Sequence, residues 1–118
     1  MTELDTDGRS ENTLCVRLES AEEFYARLGK GDRDALSIRS EEELGRLLAP
    51  SHLRILRVVS DQHPTTAAAV ADTLGRDQEK VEHVLGILAQ YDLLDLVDHA
   101  GEIRPIPQYD TLEITVPL

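Results

Sequence analysis

The sequence predicts a small, mainly helical α+β fold, and three observations carry that prediction. Its 118 residues, 41% of them hydrophobic, suffice for one modest core and are too apolar for a chain without structure. From Pro50 onward the apolar positions follow helical spacing in three short segments separated by turn residues. Near each end, Leu14, Val16 and Leu18, then Leu112, Ile114 and Val116, alternate with other residues as strands do.

Residues 1–12 carry Asp, Glu, Gly, Ser and Asn without apolar period, so they are expected to form a loose acidic tail. A strand at Leu14–Leu18 follows. Ser20 with Glu23 makes a capping box that opens a helix carrying Phe24, Tyr25 and Leu28 to Gly29. Lys30–Asp34 is a polar connection, Leu36 and Ile38 mark a short extended piece, and Ser40 with Glu43 forms a second capping box. That helix shows Leu44, Leu47 and Leu48 on one face and stops at Ala49-Pro50.

The next helix contains Leu53, Ile55, Leu56, Val58 and Val59 and ends around Gln62-His63-Pro64. Thr66 caps an Ala-rich helix to Leu74, Gly75 closes it, and Asp77 caps a third helix reaching Gln90 through Val81, Val84, Leu85 and Leu88. Leu94, Leu96 and Val97 read as a strand, His99-Ala100-Gly101 as a turn, and Ile103–Ile106 as the returning arm. In the last strand, Leu112, Ile114 and Val116 are expected to point inward, and Glu113 and Thr115 outward. The expected organisation is a tail over 1–12, a strand and helices over 13–48 for packing or dimerisation, and residues 49–118 as a second element ending in the last strand.

Three consecutive helices, a Gly-containing turn before the third, and a following hairpin are the parts of a winged helix-turn-helix, in which the later helix enters a DNA major groove. The turn is Gly75-Arg76-Asp77 and the wing Leu93–Ile106. The sequence resembles the small archaeal winged-helix transcriptional regulators of haloarchaeal type, related to the multiple-antibiotic-resistance regulators. The residues that carry the resemblance are Leu47-Leu48-Ala49-Pro50, Leu53-Arg54-Ile55-Leu56, Ala71-Asp72-Thr73-Leu74-Gly75-Arg76-Asp77, Val81, Leu88 and Pro105-Ile106-Pro107-Gln108-Tyr109-Asp110. It implies sequence-specific binding of duplex DNA by a cytoplasmic homodimer, with no cofactor. The outer face of the third helix departs from the basic pattern of such relatives. It reads Gln78, Glu79, Glu82, His83 and Gly86, with Lys80 its one lysine.

The candidate DNA-binding residues are Thr65, Thr66, Arg76, Gln78, Glu79, Lys80, Glu82, His83 and Arg104. Arg76 can grip a phosphate or a guanine edge, or pair with Asp72 or Asp77. Thr65 and Thr66 sit where a helix start binds phosphate, although capping alone explains them. Gln78 suits adenine and His83 a base or phosphate; both are also ordinary exposed polar residues. Glu79 and Glu82 oppose phosphates unless they accept from cytosine amino groups. Arg104 reaches a minor groove or pairs with Glu102. The alternative reading is a winged-helix module that has lost DNA binding and docks on another protein.

Charge bears on both readings. The chain has 23 acids, 12 bases and a net charge of −11, and only Lys30 and Lys80 of its bases are lysines. Acid excess with little lysine and few aromatics resembles proteins of salt-loving organisms, where at about 1 M salt the Debye length shrinks to about 3 Å. Residues 49–89 hold five acids and four bases, so the helical core is nearly neutral between acidic flanks.

Enzyme chemistry and metal binding find no constellation. Cys15 falls in a strand with no histidine near it in sequence and is expected to be a buried thiol. His52, His63, His83 and His99 lack metal-ligand spacing. Glu22-Glu23 and Glu41-Glu42-Glu43 lie in first helical turns, where the helix dipole favours anions. No apolar run approaches the length of a membrane span, and the polar N-terminus is not expected to be a signal peptide. No residue set declares a small-molecule effector.

Overall fold

The computed structural model describes residues 12–31 and 35–118. The expected tail over 1–11 and the middle of the polar connection, 32–34, lie outside them. The chain forms two compact units, one comprising residues 1–46 and 109–118, the other Leu47–Gln108.

The first unit contains β1 (Thr13–Leu18), α1 (Ala21–Gly29), β2 (Ala35–Ile38), most of α2 (Glu41–Leu47) and the final strand, here β5 (Thr111–Thr115). The three strands form a parallel sheet in the order β2-β1-β5. Val16 stands between Leu36 and Ile114, and Leu14 beside Leu112, so one face is a continuous apolar row. Cys15, Arg17, Ser37, Glu113 and Thr115 take the other face, because successive strand residues point to opposite sides. Leu14, Val16 and Ile38 are buried.

The first expected capping box closes fully, and the second keeps only its serine half, its glutamate reaching one residue too far. Glu23 N–H donates to Ser20 Oγ at 3.1 Å, and Ser20 N–H returns a bond to Glu23 Oε1 at 2.9 Å. That returning amide holds the Glu23 carboxyl below its ordinary range. At α2, Ser40 Oγ accepts from Glu43 N–H, while the Glu43 carboxylate reaches back to the amide of Arg39.

The second unit contains α3 (Pro50–Asp61), α4 (Ala67–Leu74), α5 (Gln78–Gln90) and a hairpin of β3 (Leu94–His99) and β4 (Glu102–Pro107). Its core comes from the expected apolar stripes: Ile55 and Val59, Val70 and Ala71, then Val81, Leu85 and Leu88, with Leu94 and Pro105 from the hairpin. The hairpin closes through Ala100 and Gly101, both at positive φ (55° and 85°), as a two-residue turn between right-twisted strands requires. Asp98 Oδ1 accepts from Gly101 N–H at 3.1 Å.

Three expectations are corrected. The last strand belongs to the first unit's sheet, parallel to β1, and not to the unit that holds the three helices. Alternation reveals a strand's period but not its neighbour. Ile114 and Val116 are 38% and 42% exposed instead of inward, because β5 is an edge strand and the apolar cover stops short of it. Cys15 is half-buried, since its position falls on the polar face of the sheet, where its thiol lies 3.9 Å from Glu113 Oε1.

Candidate nucleic-acid interface

Local devices set the ends of α4 and the sharp turn between α4 and α5. Thr66 Oγ1 accepts from Ala69 N–H at 3.1 Å and starts α4. Gly75 takes φ 64°, ψ 38°, the left-handed geometry that a side chain resists, and its N–H returns to the end of α4. Arg76 N–H donates to Ala71 O at 2.9 Å, which completes the helix stop. Asp77 then caps α5 from its side chain. The apolar stripe of α5 buries Val81, Leu85 and Leu88, and thereby turns Gln78, Glu79, Lys80 and His83 outward.

Arg76 is exposed and forms no ion pair among the described residues, with neither Asp72 nor Asp77 taking it. Lys80 and His83 are likewise exposed without a side-chain bond among the described residues. Gln78 is engaged: its amide donates to Glu82 Oε2 at 3.0 Å, one helical turn along. Glu82 is half-buried and Glu79 exposed. Six of the expected residues are therefore gathered at the start of α5.

The other three lie around α4 and the hairpin. The Thr66 hydroxyl oxygen caps α4 as an acceptor. Thr65 and Arg104 share a small groove of about 240 Å³, lined also by His63, Pro64, Val97, His99, Pro105 and Ile106. Arg104 projects from β4 and pairs with Glu102 at 3.5 Å, both side chains being well exposed. His63 and His99 in this groove were not singled out from the sequence as site residues. The pairing of β3 with β4, His99 opposite Glu102 and Val97 opposite Arg104, brings His99 to it, and His63 comes from the connection between α3 and α4. Val97 and Ile106 are 42% and 37% exposed on the same hairpin face.

Among the described residues no cluster of His, Cys, Asp and Glu is arranged to hold a metal ion. No described helix is long and apolar enough to cross a membrane.

Three helices with a capped turn before the third, followed by a two-stranded hairpin, define a winged-helix domain appended to a small parallel sheet. The model of the HVO_A0114 family matches residues 47–114, more than half of the sequence. The chain belongs to that family. A crystal structure of the AntR antimony-specific transcriptional repressor is similar at 20% sequence identity and a TM-score of 0.49, covering 64% of this chain and 72% of that one. No curated protein matches.

Proposed function

We propose that the protein is a sequence-specific DNA-binding transcriptional regulator that acts as a homodimer in the cytoplasm of a salt-loving archaeon. The start of α5 enters the major groove, and the β3–β4 hairpin touches the backbone or minor groove. The observation that carries this reading is a set of free donor side chains at the start of α5, standing among acids. Arg76 in the turn, with Lys80 and His83 on a helix whose opposite stripe is packed, stand exposed and unengaged among the described residues. Arg76 and Lys80 meet phosphates or guanine edges, and His83 a base or phosphate. Gln78 reads adenine once released from Glu82. Thr65, Thr66 and Arg104 approach the backbone, with Glu79 and Glu82 tolerated as acceptors from cytosine. The reading assigns no catalytic role and no cofactor.

Selection of bound duplexes from a random pool in molar potassium chloride tests it. An enriched inverted repeat is expected, its half-site spacing set by the two-fold symmetry of the dimer. Gln78→Ala combined with His83→Ala relaxes the preference while the fold persists; an unchanged preference removes those two residues from the site.

A second reading is favoured by the Gln78–Glu82 bond and by Asp95, Asp98 and Glu102 on the hairpin. On it the same helix docks on another protein. A folded sample that enriches no duplex at high or low salt decides for this module.

A further inference from the structure

We propose that β5 is the dimer interface. Its outer edge pairs antiparallel with β5 of a second copy across a two-fold axis, joining two three-stranded sheets into one of six strands. The proposal rests on the homodimer of the preceding section and names the surface that makes it.

The strand order β2-β1-β5 leaves β5 with one strand neighbour among the described residues, so its far side is a sheet edge. An edge strand is a template for another strand, and proteins that stay monomeric usually guard it with lysine, proline or a bulge. Between Thr111 and Thr115 β5 carries no lysine, proline or bulge, its one charge being Glu113, and it runs in unbroken register along β1. The other edge, β2, is shorter, four residues against five.

Side chains point the same way. Val16 and Ile114 are neighbours in register on one face of the sheet, yet Val16 is fully buried and Ile114 is 38% exposed. Val116, one residue beyond the strand, is 42% exposed. The apolar cover therefore ends between β1 and β5, although the apolar row continues. A small parallel sheet with an open apolar margin is unusual, because parallel sheets are generally covered on both faces.

The occupant is a second copy because the strand is complementary to itself. With the axis at Ile114, Glu113 lies opposite Thr115, and Leu112 lies opposite Val116 once pairing extends the strand by one residue, so apolar residues meet on one face and no two acids face each other. An axis at Glu113 would set two carboxylates side by side, which cross-strand pairing penalises.

The test uses the full chain with Cys15→Ser, in molar potassium chloride. Ile114→Cys is compared with Tyr25→Cys, whose side chain is exposed on α1. Residues directly opposite in an antiparallel pair bring their Cβ atoms to about 4.5–5.5 Å, close enough for a disulfide after a small adjustment. Mild oxidation is expected to convert most of the Ile114→Cys protein to a linked dimer and little of the Tyr25→Cys protein. In sedimentation, Ile114→Lys is expected to be a monomer with an unchanged helical circular dichroism signal. Equal linking of the two cysteine variants, or a dimer that survives Ile114→Lys, overturns the β5 interface and leaves the homodimer standing. A wild-type protein that stays monomeric at about 100 μM overturns both, while a duplex titration on the same sample decides separately whether DNA is bound.

Discussion

Glu19 and Arg27 show how much one pair of residues can hold. Glu19 follows β1 and Arg27 lies two turns into α1, and both are buried. Arg27 Nε donates to Glu19 Oε1 at 3.0 Å and Nη2 to Oε2 at 2.6 Å, the two-pronged geometry in which guanidinium suits carboxylate best. Arg17 adds a longer contact at 3.6 Å. The Arg27 hydrogen bond outweighs the cost of burial and holds the Glu19 carboxyl below its ordinary 4.5. The unfolded chain therefore takes up this proton more readily than the folded one. The stabilisation is complete above pH 4.5 and is lost as pH falls through the lower folded value. Arg27→Ala leaves the buried Glu19 carboxylate with Ser37 and the longer Arg17 contact, and is expected to cost about 3 kcal/mol, the low end for breaking a buried pair, in urea unfolding at neutral pH. Glu19→Gln should flatten the acid side of the stability curve below pH 4.5; an acid limb as steep as wild type would show that another carboxylate governs it. The sequence concealed this pair, since periodicity places Arg27 on a helix but says nothing of which carboxylate a side chain meets across a bend. Arg104 and Glu102, only two apart, were legible as partners and do meet.

At the scale of elements, what was legible is what is local. Ser20 with Glu23, Thr66, Gly75 and Asp77 announce helix ends in the sequence because each acts on backbone within a few residues of itself, and each does so here. The start of α5, with six of the nine expected residues, could be read for the same reason: the buried stripe of Val81, Leu85 and Leu88 fixes the opposite face. What escaped was non-local. The neighbour of β5 is β1, almost a hundred residues earlier, and nothing in the alternation of Leu112, Ile114 and Val116 specifies that partner, its direction, or which residues end up covered. The α4–α5 turn yields its own prediction. Thr66→Ala should cost about 1 kcal/mol, the usual value of a lost N-cap. Gly75→Ala should cost about 1–2 kcal/mol, because nothing crowds the added methyl and the φ of 64° alone penalises it. Thermal unfolding of both variants measures this, and equal stability of Gly75→Ala would mean that the turn had rearranged. If α5 reads DNA from this turn, both variants weaken binding further than their stability loss explains.

The charge of the whole molecule sets two salt responses against each other. Two copies at −11 each repel, and so do either copy and a duplex. Raising potassium chloride from about 0.15 M to about 1 M shortens the Debye length from about 8 to about 3 Å and screens that repulsion. Association through β5 depends on apolar contact and backbone bonds, neither of which salt weakens by screening, so the dimer should tighten several-fold over this range. Phosphate contacts respond in the opposite direction, because each releases counterions from the duplex. Arg76 in the turn and Lys80 on α5 offer two cations per copy without a partner among the described residues, hence about four phosphates per dimer and a slope of log affinity against log salt of about −4. Arg76→Ala should lower that slope by about two, one for each copy. The two responses separate by protein concentration. Above the dimer dissociation constant, duplex affinity falls with salt at the full slope; well below it, salt-driven dimerisation offsets part of the fall and the curve flattens. Fluorescence titrations at two protein concentrations distinguish the cases, and identical slopes at both would show that assembly and DNA binding are not linked.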